Sequence, residues 1–278
     1  MSDKYDKKFY ENIYTKKKDT ENYIGFNDYY KYGVGRRWVR SLITKVFRKI
    51  DKNSINKIID IGCGEGTHTA FLAHIFVNSE VIGVDLSDEA IKWANMQYNN
   101  INNLTFLQTD FVNNTINSNG GGYDLVSSFD VLEHIEDWQS FLKDMLSLSN
   151  KYILLTFPTG KMPEYEKMYG HLRNFKRGEV EAFLMENNFK KVKTFYAGFP
   201  FYSPLGRWYL GLGNNFNNYE ENNGSNINGA FTIKQKIFHS LLFILFRYFC
   251  FQNIGDRFLG LFEKIDITVN SNGGGGKL

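Results

Sequence analysis

A nearly continuous apolar run that ends in glycines constrains the fold of this chain more than any other feature. Residues 57–63 read KIIDIGC, and Gly64 and Gly66 follow at once. An apolar run of this length is typical of a strand that is buried on both faces. Residues 67–76 then carry apolar side chains at helical spacing. A buried strand, a glycine turn and a helix predict the first unit of a parallel α/β sheet.

The same alternation of strand and helix continues along most of the chain. Ser87, followed by Asp88 and Glu89, predicts an N-capped helix after the second apolar run. Further helices are expected at 137–148 and 177–187. We therefore predict an α/β fold with a doubly wound, Rossmann-like sheet. The later strands are expected at 80–86, 104–111, 123–129, 151–157, 190–196 and 257–265.

Two segments lie outside this alternation. In residues 36–50, apolar side chains recur every three or four positions, which predicts an amphipathic helix with a basic outer face. Residues 200–252 form an insertion before the last strand, with an Asn-rich loop at 213–229. We expect an N-terminal helical lid segment at 1–50, one domain at 51–266 that contains the insertion 200–252, and a flexible tail at 267–278.

Net charge, cysteine content and the length of apolar segments limit the partners and the compartment that we expect. A net charge of +3 is too small to indicate a nucleic-acid partner, so we expect none. Cys63 and Cys250 cannot form a disulfide framework and the first residues lack an apolar signal, which favours a cytoplasmic protein. The most apolar window, 237–251, is shorter than the ~20 residues that span a bilayer. A peripheral membrane contact through 234–252 stays open, and the oligomeric state is not predicted.

A carboxylate ends each of the first three predicted strands. Asp60, Asp85 and Asp110 should meet at one crevice, because the carboxyl ends of parallel strands share one edge of the sheet. Asp60 favours a cation, Asp85 suits ribose hydroxyls and Asp110 can accept from an adenine amine. Together they fit S-adenosylmethionine. A nicotinamide dinucleotide fits less well, since Gly66 falls one position before the third glycine of the dinucleotide pattern.

Four segments of the chain resemble the class I S-adenosylmethionine-dependent methyltransferases in order and spacing. They are IIDIGCGEGT, VIGVDLS, FLQTDF and YDLVSSFDVLEHI, and the resemblance covers residues 57–264. It implies a seven-stranded sheet whose last strand, 257–264, is antiparallel. By the family pattern, the methionine part is held by Asp60, Gly62 and Gly64, the ribose by Asp85 and Leu86, and the adenine by Asp110 and Phe111, while Phe129 lines the cofactor.

Two histidines are the candidate catalytic residues. His134 lies in DVLEHIED, which is similar to the small-molecule branch of the superfamily, including quinone-biosynthesis O-methyltransferases. His171 opens HLRNFKRGEVEAFLMENNF, which is similar to enzymes of surface-glycan and natural-product pathways. Methyl transfer to a hydroxyl needs a base, and histidine has a suitable pKa near neutrality. The alternative is that both residues are structural.

The same residues raise the question of a metal. Two carboxylates and two histidines could ligate Mg²⁺ or Mn²⁺, and their order resembles the metal site of small-RNA 3′-end 2′-O-methyltransferases. Those enzymes carry a further histidine close to the second one, whereas His171 is followed by Leu, Arg and Asn. We therefore predict no metal ligands.

Aromatic side chains make up 17% of the chain, and many lie in or near the insertion. The helix expected at 234–252 gathers its few polar residues, including Arg247, on one narrow stripe and leaves the rest of its surface apolar. It could be a lid, a membrane anchor or a dimer interface. Aromatic residues that could line an acceptor pocket are Tyr29, Tyr30, Trp38, Tyr165, Tyr169 and Phe201.

These features predict an enzyme that transfers the methyl group of S-adenosylmethionine to an oxygen of a small-molecule or lipid-linked acceptor. An RNA 2′-O-methyltransferase with a metal site is one alternative, and a non-catalytic S-adenosylmethionine-binding module is another. A nicotinamide-dependent dehydrogenase is the weakest of the alternatives.

Overall fold

A computed structural model of the chain describes residues 7, 8, 11, 30–111, 122–206 and 231–265. The Asn-rich loop at 213–229, the tail at 267–278 and Tyr29 therefore lie outside the described residues. Within them, seven strands form one sheet in the order β3-β2-β1-β4-β5-β7-β6. The strands are β1 (Lys57–Ile61), β2 (Glu80–Asp85), β3 (Leu104–Gln108), β4 (Tyr123–Phe129), β5 (Ser149–Pro158), β6 (Phe189–Ala197) and β7 (Arg257–Lys264).

Strand direction follows the expected pattern. The pairs from β3 to β5 are parallel, whereas β7 runs antiparallel to both β5 and β6. The prediction of a Rossmann-like, seven-stranded sheet with an antiparallel last strand is confirmed. Because the parallel strands all end at the same edge, the loops after β1, β2, β3 and β4 gather there.

Helices cover both faces of the sheet. They are α1 (Val34–Val46), α2 (Thr67–Ile75), α3 (Asp88–Tyr98), α4 (Trp138–Leu148), α5 (Glu164–Met168), α6 (Glu179–Glu186) and α7 (Ile233–Phe249). Local signals fix several of their starts. Ser87 and Asp137 each accept a hydrogen bond from a backbone N–H of the first turn, and Thr232 forms a capping box with Gln235. The helix expected from 177 begins after Gly178, whose φ of +86° lies in the left-handed region.

The sheet separates two apolar cores. Val126 of β4 packs with side chains of α4 and α6, such as Trp138 and Phe183. Its neighbour Leu125 points to the opposite face and packs with α1, α2 and α7. Consecutive strand residues alternate between faces, so a strand covered on both sides is apolar throughout.

The insertion before β7 returns to the sheet as α7. Phe243 and Phe246 of α7 are buried, and the Phe246 ring meets Trp38 of α1 edge to face at 6.1 Å. Among the described residues, none of the helices combines the length and the apolar character that crossing a bilayer requires.

Candidate active site

The glycine loop after β1 forms the base of the candidate site. The Gly62 and Cys63 N–H groups donate to the carbonyl of Val84 in β2, at 2.8 and 3.0 Å. Gly62 has a φ of +74°, and a Cβ on it would overlap the side chain of Val131, which follows β4. Only glycine therefore meets both the backbone and the packing requirement here. The contact also couples the glycine loop to the turn after β4.

Asp85, at the end of β2, is bound to the glycine loop. Its carboxylate accepts from the N–H of Gly64 at 2.7 Å and from the N–H of Ser87 at 2.9 Å. Burial raises the pKa of Asp85, and these two donors oppose the shift. Leu86 is half-buried, and its carbonyl accepts from the side chain of Gln108 at 3.0 Å.

Asp60 lies beneath the glycine loop rather than on its surface. The side chain is 1% exposed, and its two oxygens accept from Thr69 at 2.6 Å and Ser127 at 2.8 Å. Burial raises the pKa of Asp60 to about 7, although both hydroxyls lower it. The carboxyl group thus joins β1, α2 and β4 under the loop.

The remaining predicted cofactor residues follow β3 and β4. Asp110 and Phe111 are half-buried just beyond β3, and the Phe111 ring meets Phe141 edge to face at 5.2 Å. Phe129 ends β4 and stacks on His68 at 4.7 Å. All the predicted cofactor residues therefore lie along the carboxyl edge of β1 to β4.

The two candidate catalytic histidines are in contact. Their rings meet edge to face with centroids 4.7 Å apart, and Nδ1 of His134 lies 3.1 Å from the carbonyl oxygen of Gly170. A carbonyl only accepts, so Nδ1 carries the proton and Nε2 the lone pair. Burial lowers the pKa of His134, and burial together with His134 lowers the pKa of His171 to about 4. Both rings are therefore uncharged near neutral pH.

Glu133 completes this cluster. The residue is fully buried, and among the described residues neither carboxyl oxygen finds a hydrogen-bond partner. Burial, with the charge of Asp130, raises the pKa of Glu133 well above its usual range. A backbone hydrogen bond of 2.9 Å from Leu172 to the carbonyl of Glu133 holds the His171 segment against this turn.

An ion pair also holds the turn after β4 that carries Glu133 and His134. Arg257 of β7 donates to Asp130 at 2.5 Å, and Thr156 of β5 donates to the other oxygen at 3.0 Å. Burial is the largest influence and disfavours the charge of Asp130, but Arg257, His68 and the hydrogen bond from Thr156 together outweigh burial and lower the pKa of this carboxyl. Asp130 has a φ of +59°, a strained conformation that this set of bonds holds in place.

Three further residues at the site escaped sequence reasoning. Arg36 of α1 pairs with Glu65 of the glycine loop and donates to Thr67 at 2.6 Å. Glu11 accepts from the backbone N–H of Asp88 at 2.8 Å, so it caps α3 from the N-terminal segment. Each pair joins residues at least 29 positions apart, and no short sequence pattern predicts such a contact.

The aromatic residues suggested for an acceptor pocket have different environments. Trp38 is a core residue with its ring 4.6 Å from Tyr202, and Tyr30 lies under the guanidinium of Arg40. Phe201 is half-buried and Tyr169 is exposed. The side chain of Tyr165 lies outside the described residues.

The histidine cluster could also hold a cation. One ligand atom each from Glu133, His134 and His171 lies within 4.8 Å of the other two. A carboxylate and two imidazoles suit Mn²⁺ or Zn²⁺ better than Mg²⁺, which prefers oxygen ligands. The expectation of no metal ligands, which rested on the missing further histidine close to His171, stays a prediction.

A seven-stranded sheet of this order, with a glycine loop after β1 and acids after β2 and β3, defines the class I S-adenosylmethionine-dependent methyltransferase fold. Residues 30–193 match a family described as a methyltransferase domain. That match covers more than half of the chain, so the chain belongs to this methyltransferase family.

The chain is similar to several characterised proteins. It is 26% identical over 149 residues to malonyl-[acyl-carrier protein] O-methyltransferase of Bacillus cytotoxicus, covering 53% of this chain and 50% of the relative. Chloroplastic tocopherol O-methyltransferase of Arabidopsis thaliana is 29% identical over 154 residues, covering 52% and 40%. The chain thus spans half or less of the length of these relatives. Magnesium protoporphyrin IX methyltransferase from Synechocystis PCC 6803, solved with bound S-adenosylhomocysteine, superposes with a TM-score of 0.52 at 20% identity, covering 68% of this chain and 90% of that one.

Proposed function

We propose that this chain transfers the methyl group of S-adenosylmethionine to a hydroxyl oxygen of a small-molecule or lipid-linked acceptor. The names of two relatives support transfer to oxygen, because they are O-methyltransferases of malonyl-[acyl-carrier protein] and of tocopherol. The observation that carries the proposal is the contact of His134 with His171 beside the buried Glu133, at the same edge of the sheet as the glycine loop.

The cofactor side of the site is assigned to the residues along the carboxyl edge. The bare backbone of Gly62 and Gly64 admits the methionine part, and Asp60 beneath them supplies a negative charge. Asp85 accepts from the ribose hydroxyls, with Leu86 beside it. Asp110 and Phe111 hold the adenine, and Phe129 closes the cofactor side toward the acceptor.

On the acceptor side, His134 acts as the base. The acceptor oxygen forms a bond to the methyl carbon while the bond from that carbon to sulfur breaks, so S-adenosylhomocysteine leaves. The hydroxyl proton passes to Nε2 of His134, the nitrogen that carries the lone pair. His171, whose ring contacts His134, orients the hydroxyl, and holding it in line with the sulfonium supplies much of the rate.

A metal-assisted form of the same reaction is the second candidate. The buried oxygens of Glu133 support it, because a carboxyl group without hydrogen-bond partners is costly to bury and a cation would satisfy it. A divalent cation at this cluster would lower the pKa of a bound hydroxyl.

A screen of hydroxylated acceptors for release of S-adenosylhomocysteine tests the proposal. With an acceptor in hand, His134→Ala should slow single-turnover transfer by ~10²–10⁴-fold at unchanged cofactor affinity. His74→Ala, at an exposed histidine of α2, is the matched control and should act as the parent.

Three outcomes separate the candidates. Loss of turnover with a chelator, restored by Mn²⁺ or Zn²⁺, would establish the metal-assisted form. Transfer by His134→Ala at the parent rate with no effect of the chelator would remove the histidine cluster from the reaction, and no transfer to any acceptor would leave a cofactor-binding module.

A further inference from the structure

The helix α7 turns its polar stripe toward the protein and an apolar side outward, which is the reverse of an ordinary surface helix. Its polar stripe, which includes Lys236 and Arg247, lies on the side of the buried Phe243 and Phe246. The opposite side is apolar and faces outward. Its residues are Ile237, Phe238, Leu241, Ile244, Tyr248 and Phe249, each between 48% and 69% exposed. These six residues, called here the apolar face, span an arc of about 140° at 100° per residue.

The apolar face continues past the end of α7. Phe251 and Ile254 are also about half exposed, and Phe251 stacks on the exposed Phe199 at 6.3 Å. Hydrogen bonds of 2.8 and 3.1 Å between the backbones of Phe199 and this segment fix it to the end of β6. Contiguous exposed apolar surface of this kind marks a docking site rather than ordinary surface.

Cations cluster between α7 and α1, beside the buried Phe243. The guanidinium of Arg37 lies 3.9 Å from the ring centre of Phe243, and that of Arg247 lies 5.7 Å from it. Burial together with Arg247 lowers the pKa of both Arg37 and Lys45, as expected for cations held near one another. Lys236 extends the row over the ring of Tyr32.

The two sequence segments that carry these residues contain no acidic side chain. Residues 29–50 and 231–255 include no Asp or Glu, although they carry seven and three Lys or Arg respectively. A second copy of this chain would bring the same cations to the interface, and like charges would repel. A surface of anionic lipid instead offers hydrocarbon for the apolar face and phosphates for the cations.

We infer that α7 docks this protein on an anionic membrane surface, with the apolar face inserted among the lipids and Arg37, Lys45 and Arg247 at the head groups. The helix lies in the plane of the interface and does not cross it. The inference goes beyond the proposed function, because it holds whatever reaction the site performs. In this arrangement, the segment between α7 and Arg257 connects the membrane-bound helix to the Asp130 ion pair.

Vesicle sedimentation of the full chain tests the inference. The parent should sediment with vesicles of phosphatidylcholine and phosphatidylglycerol, and much less with phosphatidylcholine alone. The double variant Phe238→Asp and Leu241→Asp should weaken sedimentation by at least ~10-fold, because it places two charges in the apolar face. Val77→Asp, at an exposed apolar residue in the turn before β2, is the matched control and should bind as the parent.

Charge reversal separates the electrostatic part. Lys45→Glu with Arg247→Glu should remove the preference for phosphatidylglycerol, a loss of about tenfold or more. Calorimetric binding of S-adenosylmethionine and thermal unfolding of each variant show whether the fold is intact, so a folding defect is distinguishable from a lost surface. If the parent sediments with neither kind of vesicle, the inference is overturned. A parent that is dimeric in sedimentation velocity and becomes monomeric in the Phe238→Asp, Leu241→Asp variant would assign the face to a second copy instead.

Discussion

Nη2 of Arg257 lies 2.5 Å from Oδ2 of Asp130, so the first residue of the last strand neutralises the carboxylate that follows the fourth. Asp130 lies three residues before Glu133 and four before His134. The pair therefore fixes the base of the turn that carries the candidate acceptor residues.

Loss of Arg257 should destabilise the protein. Arg257→Met leaves Asp130 charged among β4, β5 and β7, and breaking a buried pair costs ~3–5 kcal/mol. The Asp130 side chain is 36% exposed, so we expect a smaller fall of about 2 kcal/mol in the free energy of unfolding, measured with urea. The matched control is Lys190→Met, which removes the exposed pair of Lys190 with Glu263 and should cost less than ~1 kcal/mol. Equal losses in the two variants would show that the Asp130 pair has no special role.

A methyl group added at Gly62 of the glycine loop should destabilise the protein for two separable reasons. Gly62→Ala forces a left-handed backbone on alanine and pushes its Cβ into Val131, so we expect a loss of about 3 kcal/mol in unfolding free energy. Gly160→Ala has the same backbone problem, with a φ of +81°, but nothing lies within 4 Å of the new Cβ. It should cost only ~1–2 kcal/mol. Adding Val131→Ala should recover part of the loss in Gly62→Ala; no recovery would mean that the overlap is not the cause.

The contribution of Asp60 to stability should fall as the pH rises toward neutrality. The pKa of Asp60 is raised by burial to about 7, against ~3.9 in the unfolded chain. The folded state therefore binds the extra proton between these values, and the free energy of unfolding decreases by up to ~4 kcal/mol as the pH rises through this window. Asp60→Asn cannot ionise, so its stability should decline less between pH 5 and pH 8 in urea unfolding. Glu133 adds a decline and His171 a rise, but both are common to parent and variant, so only the share of Asp60 should disappear. Parallel pH profiles for parent and variant would contradict this prediction.

The parts of the structure that local sequence determines were predicted well. The apolar run before Gly62 specifies β1, and Ser87 specifies the start of α3, because a buried strand and an N-cap each have their signature within a few residues. The helix α7 was also expected. Its orientation was not, because the side that is buried depends on the packing of Phe246 against Trp38 of α1.

The site was predictable where the family pattern is local and not elsewhere. Asp85 and His134 belong to short segments next to strands. The partners that hold them, such as Arg257 for the turn after β4 and Arg36 for the glycine loop, come from distant elements that only the folded sheet brings together.

Calorimetric titration with S-adenosylmethionine tests the central claim most directly. The parent should bind S-adenosylmethionine and S-adenosylhomocysteine, and NAD should give no heat of binding. Asp85→Ala removes the acceptor for the ribose and the bond to Gly64, so affinity should fall by about 30-fold, equivalent to ~2 kcal/mol. Asp88→Ala, whose exposed side chain pairs with Lys92, should bind as the parent. Absence of S-adenosylmethionine binding by the parent, or equal affinity in Asp85→Ala, would contradict the account.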